Sequence, residues 1–152
     1  MANYGVYVTR TASATLSTGV FTAAASNMRR AKIYDIVVGS AATPADNAFL
    51  WQMQRCTTAG TAGSAVTPQS LDSADSIAST IVVGQAMTVD PTLTAGAIPW
   101  TVPLNQRATF RWVAAPGSEL VIPATASNGF ALRTPTAGGL VEVDSTVLFQ
   151  EL

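Results

Sequence analysis

Apolar and polar side chains alternate with period two along this chain, and no stretch sustains a period of 3.6. In the last segment Val141, Val143, Val147 and Phe149 fall on one side, with Glu142, Asp144, Thr146 and Gln150 on the other. That is the pattern of a half-buried strand. Tyr4 to Arg10 repeats it, setting Val6 and Val8 against Tyr7 and Thr9. Ala48 to Thr57 sets Phe49, Trp51 and Met53 against Gln52 and Gln54. In Lys32 to Gly39 a simple alternation places Tyr34, Ile36 and Val38 on one face and Ile33, Asp35 and Val37 on the other. Leu16–Ala23, Ile77–Val83 and Phe130–Arg133 add shorter strands, and Asn128-Gly129 is the strongest turn signal.

The segment Leu104 to Ala124 reads as a hairpin. Phe110 and Trp112 point one way, and Arg107, Thr109 and Arg111 the other. Ala114-Ala115-Pro116-Gly117 breaks the run, since proline lacks a ladder donor and glycine accepts positive φ. A tight loop centred on Pro116 then sets Trp112 opposite Leu120 and Phe110 opposite Ile122. Four apolar side chains share a face in that register.

Thr67-Pro68 has the form of a helix start, with room for one or two turns over "QSLDSADSIAS". The remainder predicts eight or nine strands in an all-β chain: a sandwich, a jelly roll or a small barrel. Unequal loops, above all the Thr57–Ser76 excursion, favour a single jelly-roll-like sandwich. We expect one domain over residues 1–152, with no internal repeat and no linker.

Hydrophobic residues make up 48% of the 152 residues and charged residues 11%, against about a quarter charged in ordinary domains. That composition opposes disorder. The formal net charge of -1 gives no electrostatic reason to expect nucleic acid. Ala, Ser and Thr replace charge, so much of the surface is small and neutral and poorly protected against association. Burial of part of it in an assembly is one reading; a compositional bias of the source genome is the other. The start "MANYGVYVTR" has neither the basic nor the apolar region of a signal peptide, and no apolar run approaches the roughly 18 residues of a membrane span. The expectation is a soluble protein made in a cytoplasm, with no membrane partner.

The chain has no histidine, which removes Ser-His and Cys-His catalysis and histidine metal sites. Cys56 is the one cysteine, and it reads as a packed thiol. Asp72 and Asp75 lack the glycine and glutamate of a calcium loop. Asp35, Asp46, Glu119 and Glu142 offer no spacing that selects a glycosidase pair. Gly138-Gly139 lacks the strand-to-helix setting of a phosphate loop. No catalytic residue, cofactor or metal ligand is expected. Candidate partner contacts are Arg29, Arg30 and Lys32 ahead of the "KIYD" strand, and Arg107 and Arg111 behind Phe110 and Trp112. Trp51 and Trp112 read as core. Trp100, on an irregular segment, reads as a surface side chain and joins the contact set.

The succession "TPQSLDSADSIASTIV", "LNQRATFRWVAAPGSELVIPATASNGFAL" and "GLVEVDSTVLFQE" resembles small jelly-roll-like head decoration, or cement, proteins of tailed phages. The similarity covers about the C-terminal two-thirds, with a looser match at "YGVYVTRTA" and "RAKIYDIVVG". It lies in strand order, turn residues and the "NQRATFRW" segment, and it carries over no individual functional residue. The resemblance implies a non-enzymatic virion protein on the outside of the head, a homotrimer bound to the major capsid protein and made in the host cytoplasm. The alternative is a carbohydrate-recognising jelly-roll domain of a phage spike or tail tip.

Overall fold

The computed structural model describes residues 1–26, 29–75, 77–136 and 141–152. Ser76 and Gly138-Gly139, which entered the sequence reading, lie outside the described residues. Twelve strands follow in order: β1 (Ala2–Thr11), β2 (Gly19–Ala23), β3 (Ala31–Ala42), β4 (Ala48–Cys56), β5 (Ser64–Val66), β6 (Gln69–Ser70), β7 (Ile81–Gln85), β8 (Trp100–Asn105), β9 (Phe110–Val113), β10 (Leu120–Ile122), β11 (Gly129–Arg133) and β12 (Glu142–Glu151). No helix occurs among the described residues.

The pairing is nested and antiparallel. β1 pairs with β12, β2 with β11, β3 with β9 and β10, and β4 with β8. The ladders β3–β12 and β4–β11 then join these pairs side by side. A front sheet runs β6-β1-β12-β3, with β9 and β10 both on the free edge of β3. The back sheet runs β5-β7-β2-β11-β4-β8. A long antiparallel ribbon folded over itself in this order is a jelly roll. β5, β6 and β7, inserted between β4 and β8, extend the two sheets beyond β2 and β1.

One apolar core fills the space between the sheets. From the front come Tyr4, Val6, Val8, Ile33, Ile36, Val38, Val147 and Phe149; from the back come Phe21, Phe49, Trp51, Met53, Val83, Phe130 and Leu132. Burying each of Phe21, Phe130 and Phe149 is worth roughly 1.5–3 kcal/mol relative to exposure. Tyr4 stacks on Phe149 with ring centroids 5.5 Å apart. At one end Glu151 is buried, and its carboxylate accepts from Ser79 Oγ (2.5 Å) and the amide and hydroxyl of Thr80 (2.7 and 3.1 Å). That cluster ties the entry of β7 to the last residues of β12.

Several sequence expectations are corrected. Phe110–Val113 and Leu120–Ile122 do not form a hairpin. Both strands run antiparallel to β3, β9 on Asp35–Val38 and β10 on Ala31–Ile33, so they make one edge strand interrupted by a loop. Pro116-Gly117 does form a turn, closed by Ser118 N–H to Ala115 O at 2.9 Å, with Gly117 at φ 87. The turn sits at the tip of that interruption. The apolar face survives because a strand of either origin presents Phe110, Trp112, Leu120 and Ile122 to the same core. In β3 the alternation slips: Leu148 pairs with Asp35 and Phe149 with Ile33, leaving Tyr34 as an extra residue. This β-bulge lets Ile33 and Ile36 both face the core, and turns Tyr34 and Asp35 outward together.

Trp100 is 7% exposed, not at the surface; β8 turns it inward against Trp112, with centroids 6.4 Å apart. No helical turn follows Thr67. Gln69–Ser70 pairs with Tyr4–Gly5, and Ser70 Oγ and Asp72 Oδ1 accept from the amides of Asp72 and Ala74. Such local bonds compete with a helix. Asn128-Gly129 is not a hairpin tip either. The turn lies one step earlier, with Asn128 N–H bonded to Thr125 O at 3.1 Å and Ser127 at φ 61.

Gly129 matters for space, not for φ. It opens β11 between β2 and β4, where an added Cβ would lie 1.8 Å from the Phe21 carbonyl oxygen. At Gly117 the same Cβ meets nothing within 4 Å, and only the positive φ resists it. Gly129→Ala is therefore expected to cost upwards of about 3 kcal/mol, and Gly117→Ala about 1–2 kcal/mol. Urea melts of the two variants measure this, and equal costs would contradict the packing described here.

Candidate interaction face

The two outer faces of the sandwich differ. Segments 57–63 and 86–98 fold over part of the back sheet. Under them Val20, Cys56, Met87 and Ala131 form a second small core with Ala62 and Leu93. Thr61 bonds backbone to backbone with Val89, Thr57 with Thr92 and Arg55 with Ala97. Gln52 and Gln54, which alternation turns away from the main core, are buried beneath this cover. Gln54 donates to Thr94 O at 3.0 Å and accepts from Arg133 Nη1 at 3.0 Å. Asp90 lies 3.6 Å from Arg133 Nε and accepts the Ser17 amide at 2.7 Å. Burial pushes the Arg10 guanidinium down, and the Asp90 charge opposes that shift. Burial also pushes the Cys56 thiol up to about 12. A thiol so protonated at neutral pH is not a nucleophile.

Among the described residues, no such cover lies over β1, β12 and β3 of the front sheet. Its outward side chains lie in rows set by the register. One row is Tyr7, Thr146, Val37 and Arg111; the next is Gly5, Leu148, Asp35 and Val113. Leu71 leans over Gly5 beside Leu148. Tyr7 is 50% exposed, Leu71 54% and Val113 57%. Their apolar surface is left in solvent on a face that also carries Thr146 and Gln150 and the charged Asp35, Asp144, Lys32 and Arg111.

Three carboxylates on this face accept hydrogen bonds from neighbouring side chains, and one of them is ion-paired. Asp144 accepts the Tyr7 hydroxyl, which raises the Tyr7 pKa, and Glu142 Oε1 accepts from Thr9 Oγ1 at 3.3 Å. Asp35 is buried, and the largely exposed Arg111 grips it through Nε (3.1 Å to each oxygen) and Nη2 (2.5 Å). This hydrogen bonding raises the Arg111 pKa.

Two hollows mark the face. The first, about 190 Å³, lies over Gly39 between Tyr7, Val37, Thr109, Asp144 and Thr146. The second, about 320 Å³, is bounded by Asn3, Lys32, Tyr34, Glu119 and Gln150. The bulge at Tyr34 and the interruption between β9 and β10 meet at its edge, where Ala114 N–H bonds to Tyr34 O at 2.8 Å. Burial and the Asp35 charge raise the Tyr34 pKa. The Glu119 carboxyl is held down by its own amide and that of Gly117, with Lys32 adding to the effect.

Of the contact residues expected from sequence, the structure brings Lys32 and Arg111 onto this face. Arg29 and Arg30 are exposed just before β3, where Arg30 O accepts the Leu152 amide at 3.0 Å. Arg107 is exposed in the β8–β9 turn, its amide bonded to Asn105 Oδ1 at 2.9 Å. Trp100 does not join them. Sequence reasoning missed Tyr7, Tyr34, Leu71 and Val113 as a group, because they come from four separated segments. The outward position of Tyr7 was the one available signal. No protein-family model, curated protein or solved structure matches the chain.

The Arg111–Asp35 contact generates a test of how the face is held. Removing Arg111 alone strands a buried carboxylate, whereas replacing both partners with apolar groups removes the need for a counter-charge. Arg111→Ala should therefore lower the melting temperature more than the double variant Arg111→Ala/Asp35→Leu does. Thermal melts followed by circular dichroism make the comparison. A double variant less stable than the single one would mean that Asp35 serves the fold without Arg111.

Proposed function

We propose that this chain is a non-enzymatic structural protein of a phage virion: a head decoration protein that lies on the outside of the shell, binds the major capsid protein through the outer front sheet, and acts as an oligomer of three. The observation that carries the reading is the difference between the two faces. Its own loops cover part of the back, where Val82, Val89 and Ile98 stay exposed, while the front leaves Tyr7, Leu71 and Val113 half in solvent around the Arg111–Asp35 ion pair. Aromatic and arginine side chains with few unmatched charges are what the centre of a protein interface is made of. The neutral composition and the resemblance to decoration proteins supply the kind of partner. Repetition supplies strength, since each subunit adds a modest contact and several linked contacts bind far more tightly than one.

Arg29 and Arg30 belong to the rim of this contact. Rim charges are screened by salt over about 8 Å at physiological strength, and arginine grips carboxylates with paired hydrogen bonds. Neither nucleic acid nor membrane enters the reading.

Co-sedimentation of the purified protein with decoration-stripped heads, across a salt series, tests it. The wild type should bind at all salt concentrations, less at high salt. Tyr7→Asp with Val113→Asp should abolish binding without lowering the melting temperature. Arg29→Glu with Arg30→Glu should weaken binding mainly at low salt. A wild type that stays in the supernatant at every salt concentration would overturn the reading.

A further inference from the structure

The second hollow of the front sheet differs chemically from the first. Beside the first, Tyr7, Asp144, Thr9 and Glu142 satisfy one another. Around the second, the side chains of Asn3, Lys32, Tyr34 and Gln150 have no hydrogen-bond partner among the described residues, although Lys32, Tyr34 and Gln150 are only partly exposed. Half-buried polar groups ordinarily find partners within the chain or in solvent. Three such groups and the exposed Asn3, converging on one concavity, leave their hydrogen-bonding capacity for something that enters it.

From these observations we infer that the Asn3–Lys32–Tyr34–Glu119–Gln150 hollow is a binding site for a neutral saccharide. Two carboxamides each offer both a donor and an acceptor, the Tyr34 phenol offers either, Lys32 donates and Glu119 accepts. A ligand that meets such a mixed set must itself donate and accept at neighbouring positions, as sugar hydroxyls do. The single positive charge faces a single negative one, so neither an anion nor a cation is favoured. Tyr34 adds a ring whose apolar face suits the C–H face of a pyranose. The volume of about 320 Å³ lies at the lower end of small-molecule sites, roughly 300–1,000 Å³. It suits one or two sugar rings.

The local backbone supports the assignment. A regular β3 would turn either Tyr34 or Asp35 to the core; the bulge turns both outward and frees the ring for the hollow. An uninterrupted β9–β10 edge would not project Glu119 and the Ala115–Ser118 turn as a rim. Bulges recur where a strand re-aims a side chain beside a site. The inference does not rest on the capsid reading, because it uses a different part of the face and a different class of ligand.

Saturation-transfer NMR with the whole protein tests it, using glucose, galactose, mannose and N-acetylglucosamine and their common disaccharides at millimolar concentration. At least one should receive saturation and shift the Tyr34 ring signals. Tyr34→Ala should abolish the transfer, Gln150→Ala should weaken binding at least about fivefold, and Tyr7→Ala at the other hollow should leave it unchanged. Unchanged melting temperatures of the variants keep the comparison fair. A polysaccharide column bearing the responding sugar separates a surface glycan from a free saccharide as the source. Absence of transfer to every sugar overturns the inference, and so does transfer that survives Tyr34→Ala. Should the wild type bind no sugar while Tyr34→Ala and Gln150→Ala lose their hold on stripped heads, the hollow is part of a protein interface and the inference fails while the capsid reading stands.

Discussion

Much of the front sheet depends on one buried carboxylate. Asp35 sits in the middle of β3, the strand that carries β12 on one edge and β9 with β10 on the other. A buried charge left alone is costly, so the position must be answered by a cation or given up. Arg111 answers it from β9, in paired geometry, across the ladder that joins Asp35 to Val113. The contact pins the edge strand to β3 next to the bulge at Tyr34. From that bulge follow the inward pair Ile33 and Ile36, the outward pair Tyr34 and Asp35, and the second hollow. Packing supplies the bulk of the stability, and this contact holds β9 against β3 beside the bulge that decides which side chains the front sheet shows to solvent.

The two faces have different fates for a related reason. Loops from the β4–β8 connection return over part of the back sheet, and a largely part-buried polar set of Gln54, Arg133, Asp90 and Arg10 holds them there. The same connection places β6 and Leu71 at the margin of the outer front face. The back face is thereby covered in part by the chain itself, with Val82, Val89 and Ile98 still exposed, while the front face keeps Tyr7, Leu71 and Val113 available. For a chain with few charges to keep copies apart, such a face is best explained by a partner.

How much of this was legible depended on whether strand parity held. β1, β4 and β12 keep it, and their core residues were readable from Val6, Phe49, Trp51, Val147 and Phe149 alone. β3 breaks it at one residue, and nothing in "Ile-Tyr-Asp-Ile" marks a bulge, because a bulge is set by the partner strand. The β9–β10 segment shows the limit from another side. Alternation and Pro116-Gly117 correctly indicated two strands and a turn, yet a turn between strands does not say whether they pair with each other or with a third. Trp100 was misplaced because its burial depends on Trp112, a partner in the other sheet that pairing alone does not bring near it. The contact face drew on Tyr7, Tyr34, Leu71 and Val113, which only the fold brings together, while Arg111 was visible as outward but not as the partner of Asp35.

The central claim is that the outer front sheet is the working face. Hydroxyl-radical footprinting of the protein, free and mixed with the phage shell proposed as its partner, tests this residue by residue. Oxidation of Tyr7, Leu71 and Val113 should fall on binding, while Val82, Val89 and Ile98, exposed on the back sheet and its loops, should react as before. Protection of Val82, Val89 and Ile98 with Tyr7, Leu71 and Val113 unchanged would contradict the account.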